Sequence, residues 1–218
     1  MPILIGLLTR VGTVGVGKTR QNDGRLPALI GVCTIFKRTR VAKTWVCADH
    51  HFGHRNILTF LRDDGTPLRP FTTIEEHDEE IIARHNELVA PEDRVYLLGD
   101  VCINRRNLFL LGRLKGRLVL VKGNHDIFKL KDYLPWFDDI RSYVVQKDHE
   151  GNKVILSHIP IHPESVGRFG TNIHGHTHYQ SVDDERYVCV SLEHTDYKPI
   201  QIHEALALRK SRVRQQRR

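Results

Sequence analysis

Short apolar runs closed by Asp or His recur along this chain, and they restrict its fold more than any other feature. Thr44-Trp-Val-Cys-Ala48 runs into Asp49-His50-His51-Phe52-Gly53-His54, and Arg94-Val-Tyr-Leu-Leu98 into Gly99-Asp100. Leu118-Val-Leu-Val121 runs toward Gly123-Asn124-His125-Asp126, and Lys153-Val-Ile-Leu-Ser157 into His158. Runs of this length and β-branched content read as buried strands. In α/β architectures the loops at the carboxyl ends of strands converge, so these polar clusters are expected to meet in one site.

The elements between the runs agree with that class. Thr72-Thr-Ile-Glu75 reads as a capping box opening a helix that carries Ile74, Ile81, Ile82, Leu88 and Val89 on one face, with Pro91 beyond its end. His77 and His85 on or beside that face read as packing or surface residues rather than ligands. Asn107 to Leu114 reads as a short helix, and Ser142 to Gln146 with Lys153 to Ser157 as a hairpin. Gly175-His176-Thr177-His178 is expected to follow a loop from Ile159 to Asn172, and Tyr187 to Ser191 is expected to form a late strand.

Charge divides the 218 residues into three parts. Residues 1–43 hold eight Lys/Arg against Asp23, a net +7, and residues 209–218 hold six Lys/Arg and no acid. Residues 44–208, with 19 basic and 25 acidic side chains, are net −6. The reading is therefore an acidic body at 44–208, a basic extension at 1–43 and a basic tail at 209–218. Binding of nucleic acid, if any, is expected of the ends alone. No apolar stretch reaches the roughly 18 residues of a membrane span. The run Pro2 to Leu8 has neither a preceding basic residue nor a small-residue cleavage pattern, so a soluble, cytoplasmic chain without membrane contact is expected. The four cysteines, Cys33, Cys47, Cys102 and Cys189, are widely spaced and read as free thiols. Gly12-Thr-Val-Gly-Val-Gly-Lys18-Thr19 spells a P-loop, but Asn22-Asp-Gly and Pro27 break the helix that a P-loop needs after its lysine.

Histidine is abundant, 14 in the chain. Seven of these, His50, His51, His54, His125, His158, His176 and His178, sit in or beside the strand-end loops. With Asp49, Asp100, Asn124 and Asp126 they form a nitrogen and oxygen donor set without thiolate, suited to divalent ions such as Mn²⁺, Fe²⁺ or Zn²⁺.

Asp49-x-His51, Gly99-Asp100, Gly123-Asn124-His125-Asp126, Ser157-His158 and Gly175-His176-x-His178 resemble the five ordered motifs of the calcineurin-like metallophosphoesterase superfamily. Asp49-His-His-Phe-Gly-His-Arg-Asn-Ile57 and Thr195-Asp-Tyr-Lys-Pro199 are similar to its small bacterial and phage branch. The rival signatures fit less well: Asp49-His50-His51 spells a DHH motif and His125-Asp126 an HD motif. The first family does not require the later clusters, and the second is all-helical. The resemblance implies an α/β four-layer α-β-β-α sandwich of two mixed sheets flanked by helices, the metallo-dependent phosphatase fold.

It further implies a two-metal centre, Mn²⁺ foremost with Fe²⁺, Zn²⁺ or Ni²⁺ as alternatives. Asp49, His51, Asp100 and His178 would surround the first ion, and Asp100, Asn124, His158 and His176 the second. A hydroxide held between the ions would attack phosphorus, His125 would protonate the leaving oxygen, and Asp126 would support a neighbouring imidazole. His54, Arg55, Asn124 and Arg168 are candidate substrate contacts. Ile103 and Asn104 stand where the protein Ser/Thr phosphatases carry a second Asp and an Arg, which points away from phosphoproteins and toward a small or nucleotide-like phosphodiester or monoester. The alternatives are a nuclease or RNA phosphodiesterase that uses the basic ends, and a catalytically silent interaction scaffold.

Overall fold

A computed structural model describes residues 40–148 and 150–208. The P-loop-like string, most of the basic extension with Cys33, His149 and the tail 209–218 lie outside the described residues.

The expected strands form, and they fall into two mixed sheets. In the first, β1 (Thr44–Cys47), β2 (Arg94–Leu97), β3 (Arg117–Val121) and β4 (Asp139–Arg141) run parallel, with β9 (Ile200–Gln201) antiparallel on the β1 edge. In the second, β5 (Val144–Lys147) and β6 (Lys153–Ser157) make the expected antiparallel hairpin. β7 (Thr171–His174) and β8 (Tyr187–Cys189) then extend it in parallel.

Side-chain alternation along the strands builds two cores. Val46, Tyr96, Leu98, Val119 and Val121 face Val154, Leu156, Ile173, Val188 and Val190 between the sheets, joined by Ile202, Ala205 and Leu206 of the helical residues 202–208. Trp45, Cys47, Val95, Leu97, Leu118 and Leu120 turn the other way. They pack against Ile81 and Ile82 of α1 (Ile74–Leu88), Leu108 and Leu111 of a 3₁₀ helix (Arg105–Arg113), and Tyr133 of α2 (Leu130–Tyr133). This is the expected α/β sandwich of two mixed sheets flanked by helices. Its outer layer on the second sheet is thin: the 159–170 segment with the four-residue α3 (Pro163–Val166). Asn172, facing outward beside the inward Ile173, fixes that layer by accepting from the Ile161 N–H at 3.0 Å.

Several expectations are corrected in detail. The N-cap of α1 is Thr73, whose hydroxyl accepts from the Glu76 N–H, while the Glu76 carboxylate accepts from the Thr72 N–H. The capping box is therefore shifted by one residue. The helix expected at 107–114 is 3₁₀ and starts at Arg105, opened by the Asn104 side chain accepting from the Arg106 N–H. The loop expected from Ile159 to Asn172 contains α3 and the start of β7, so the Gly175 cluster also follows a strand. His77 and His85 are buried packing residues, as expected; His85 bonds the Lys115 carbonyl. Cys47, Cys102 and Cys189 are buried free thiols. No helix among the described residues is long and apolar enough to cross a membrane.

At the amino ends of the strands, opposite the Asp- and His-bearing loops, Asp93 ties the first sheet together. Its carboxylate accepts from Arg40 (2.6 and 3.0 Å), the Lys43 N–H (2.7 Å), the Trp45 indole (2.9 Å) and the Ala90 N–H (3.1 Å). Burial works to raise this carboxyl, and the four donors overcome it and hold the group well below the ordinary range.

Candidate metal centre

The loops leaving β1, β2, β3, β6 and β7 converge at one end of the sandwich. Asp49, His51 and His178 place one ligand atom each within 4.8 Å of one another, and so do Asp100, His158 and His176. Asp100 lies between the groups, its Oδ2 3.9 Å from His51 Nε2 and 3.4 Å from His158 Nε2. Asn124 Oδ1 is 2.8 Å from His158 Nε2. The His125 side chain is exposed; its N–H donates to Asp100 Oδ1 (2.9 Å) and its ring lies 6.0 Å from that of His51. The His54 ring is 5.5 Å from the His51 ring.

Convergence imposes unusual backbone. Asp49, His51, Asp100, His176 and His178 are five of the seven non-glycine residues with positive φ among the described residues. Each such residue costs on the order of 1–3 kcal/mol, and such strain collects where surrounding structure fixes side chains for a task. Two glycines allow the loops to touch. A Cβ on Gly99, at φ +83°, would lie 2.6 Å from Gly123 Cα. One on Gly175 would lie 2.5 Å from Ala48 Cβ and 2.6 Å from Asp49 Oδ2.

The donors fit divalent metal. Asp49 Oδ1 and both ring nitrogens of His51 are buried without a hydrogen-bond partner, a costly arrangement in protein that coordination relieves. His158 Nδ1 donates to the Leu98 carbonyl (2.8 Å), so Nε2 is directed at Asp100 and Asn124, where a positive charge belongs. Burial opposes a charged His158, and the carboxylates of Asp100 and Asp49 override it, pushing the imidazole up to about 9. Burial raises Asp49 to about 6, against the pull of His178 and His158. Burial likewise works to raise Asp100, but His158 outweighs it and the carboxyl lies below its ordinary value. His51 is held well below its ordinary value by burial and by the nearby Arg69.

A supporting set beneath the ligands was not foreseen in the sequence. Glu193 Oε1 bonds His178 Nδ1 (2.9 Å) and accepts from Arg69 Nε (2.9 Å), which leaves His178 Nε2 for the site. Burial tends to raise Glu193, but Arg69 and His178 hold it down to about 2. Arg69, 1% exposed, also donates to the Asp49 and His50 carbonyls and so fixes the first ligand loop from below. Ser191 Oγ donates to Asp49 Oδ2 (2.6 Å), and the His176 N–H donates to the same oxygen. Asp126 accepts from the Asp100, Val101 and Gly123 N–H groups, so it supports the ligand loops through their backbone rather than through an imidazole. Arg55 lies on the surface, 3.6 Å from Glu75, and Arg168 is exposed beyond α3.

No family model matches the chain. Among solved structures, a protein of unknown function from Aquifex aeolicus, AQ665, aligns with a TM-score of 0.62 at 27% identity, covering 77% of this chain and 100% of that one. The Gene 66 protein of Mycobacterium phage L5 is 30% identical over 93 residues, which is 39% of this chain and 41% of that protein. The uncharacterized protein MJ1445 of Methanocaldococcus jannaschii is 30% identical over 171 residues, covering 73% of this chain and 87% of that one. With that identity sustained over most of both chains, this protein belongs to the family of MJ1445.

Proposed function

We propose that the protein is a metal-dependent hydrolase of a small phosphodiester or phosphomonoester of nucleotide type. The observation that carries the reading is the pair of ligand groups on either side of Asp100, built from strained loops with buried, unpartnered donor atoms. Asp49, His51, Asp100 and His178 would hold one divalent ion, and Asp100, Asn124, His158 and His176 a second, Mn²⁺ being the first candidate. Such a pair neutralises phosphoryl oxygens and makes a water acidic enough to attack near neutral pH. Glu193 keeps His178 in the tautomer that presents Nε2, and Asp126 holds the Asp100 loop against the Gly123 loop. His125, exposed at the rim with its backbone tied to Asp100, would give its proton to the departing oxygen, and His54 would steady the phosphoryl group.

The test is hydrolysis of paired chromogenic mono- and diesters by metal-stripped protein reloaded with Mn²⁺. Asp100→Ala is expected to lose both ions and nearly all turnover. His125→Ala is expected to keep its ions and to slow a poor leaving group about 10²- to 10⁴-fold, and a good one less. Normal metal content in Asp100→Ala would remove the shared ligand. Silence toward both esters with two ions bound would favour a binding scaffold.

A further inference from the structure

A cavity of about 420 Å³ opens beside the second ligand group, with Asn124 and His158 in its lining. Ile155 and Ile161, from β6 and the segment after it, and Phe169, from beyond α3, make its wall mainly apolar. Tyr143, on the link between the two sheets, also lines it and is 57% exposed. Lys122, which precedes Asn124 by two residues, lines it too and has no ion-pair partner among the described residues.

Size and lining together restrict the occupant. Small-molecule sites run from about 300 to 1,000 Å³, so this one suits a single ring system with its sugar and is too small for a polypeptide or several nucleotides. Aliphatic and aromatic walls penalise a second charged group and reward a flat neutral one, and Phe169 and Tyr143 supply the aromatic part of the lining. Lys122 adds a cation to the same lining that Asn124 and His158 share, a charge suited to a phosphoryl oxygen.

The geometry points to this cavity as the seat of a nucleobase-sized aromatic substituent on the phosphoester. The placement of the phosphoryl group rests on the phosphoesterase reading. The cavity makes the protein selective for nucleoside esters over sugar phosphates, and Phe169 and Tyr143 are its specificity-determining residues.

The test is calorimetric binding of three probes to the full-length, Mn²⁺-loaded protein: inorganic phosphate, ribose 5-phosphate and adenosine 5′-monophosphate. Base stacking of the usual strength predicts that the adenosine compound binds about five- to hundredfold tighter than either other probe. Phe169→Ala and the surface variant Tyr143→Ala should each narrow that ratio while the phosphate constant stays fixed. Leu134→Ala, an exposed apolar position outside the cavity, should leave it unchanged. Equal affinity for all three probes, ribose 5-phosphate matching the adenosine compound, or variants that weaken phosphate and nucleotide alike would each overturn the assignment. A retained preference for the nucleotide without ester turnover would support the cavity and remove the hydrolase reading; turnover without that preference would do the reverse.

Discussion

Arg69→Met isolates the buried ion pair beneath the ligand loops. The substitution leaves the Glu193 carboxylate, whose side chain is fully buried, without its cation, a loss of about 3–5 kcal/mol. It also removes donors from the Asp49 and His50 carbonyls, at about 1–3 kcal/mol each. The total, roughly 5–11 kcal/mol, is comparable to the whole stability of a domain, about 5–15 kcal/mol, so the single variant should be barely folded at 25 °C. Arg69→Met/Glu193→Leu removes the stranded charge together with its partner and should recover about 3 kcal/mol or more, leaving chiefly the two carbonyl terms. Urea denaturation of wild type, both single variants and the double variant yields the coupling energy. Metal analysis of the folded forms should show weaker retention in Glu193→Leu, where His178 has lost its orienting carboxylate. A coupling below about 0.5 kcal/mol, with the two single effects simply adding, would refute the argument that Arg69 and Glu193 act as one buried unit.

Gly175→Ala places a methyl group 2.5 Å from Ala48 Cβ and 2.6 Å from Asp49 Oδ2, and should cost about 1–3 kcal/mol while displacing the Asp49 carboxylate. Metal content measured after dialysis should fall, and full retention would remove Asp49 from the ligand set. Asp93 has a depressed carboxyl in the folded state, so its stabilising contribution is complete above its unfolded value, about 3.9, and disappears as pH falls through the folded value. Asp93→Asn should therefore lower stability at pH 7 and flatten the acid limb of a stability-against-pH profile. A profile that keeps the wild-type slope below pH 4 would count against that role.

All five candidate ligand loops were legible as polar clusters, but only those after β1, β2, β3 and β6 could be read as following a strand, because each follows a short apolar run, and that contrast is local. β7 lacks it: Thr171-Asn172-Ile173-His174 has one apolar residue, and its buried Asn172 is satisfied by Ser157 Oγ and the Ile155 carbonyl, partners no local pattern reveals. β4 and β9 span three and two residues, too short for alternation to register. The capping box was misplaced because Thr72 and Thr73 are each followed three residues later by glutamate. Arg69, Ser191 and Glu193 were missed for a different reason. Arg69 meets Glu193 across 124 residues and Ser191 meets Asp49 across 142, so only the fold brings them together. A weak cue existed in an arginine set between Leu68 and Phe71, where a solvated charge would not be expected.

The hydrogen bonds from the His176 N–H and Ser191 to Asp49 span 127 and 142 residues, which bears on the order in which the site forms. Contacts of such separation are slow to close, because chain entropy is lost before they contribute. A nascent chain that has emerged only as far as residue 170 already carries Asp49, His51, Asp100 and His158, yet both ligand groups lack their last imidazole, His178 in one and His176 in the other. On the proposed reading, capture of an ion at full strength would await the arrival of β7 and the turn beyond it. Metal would then seal a nearly finished fold rather than nucleate it, and the rate of metal uptake during refolding would report the docking of the second sheet onto the first.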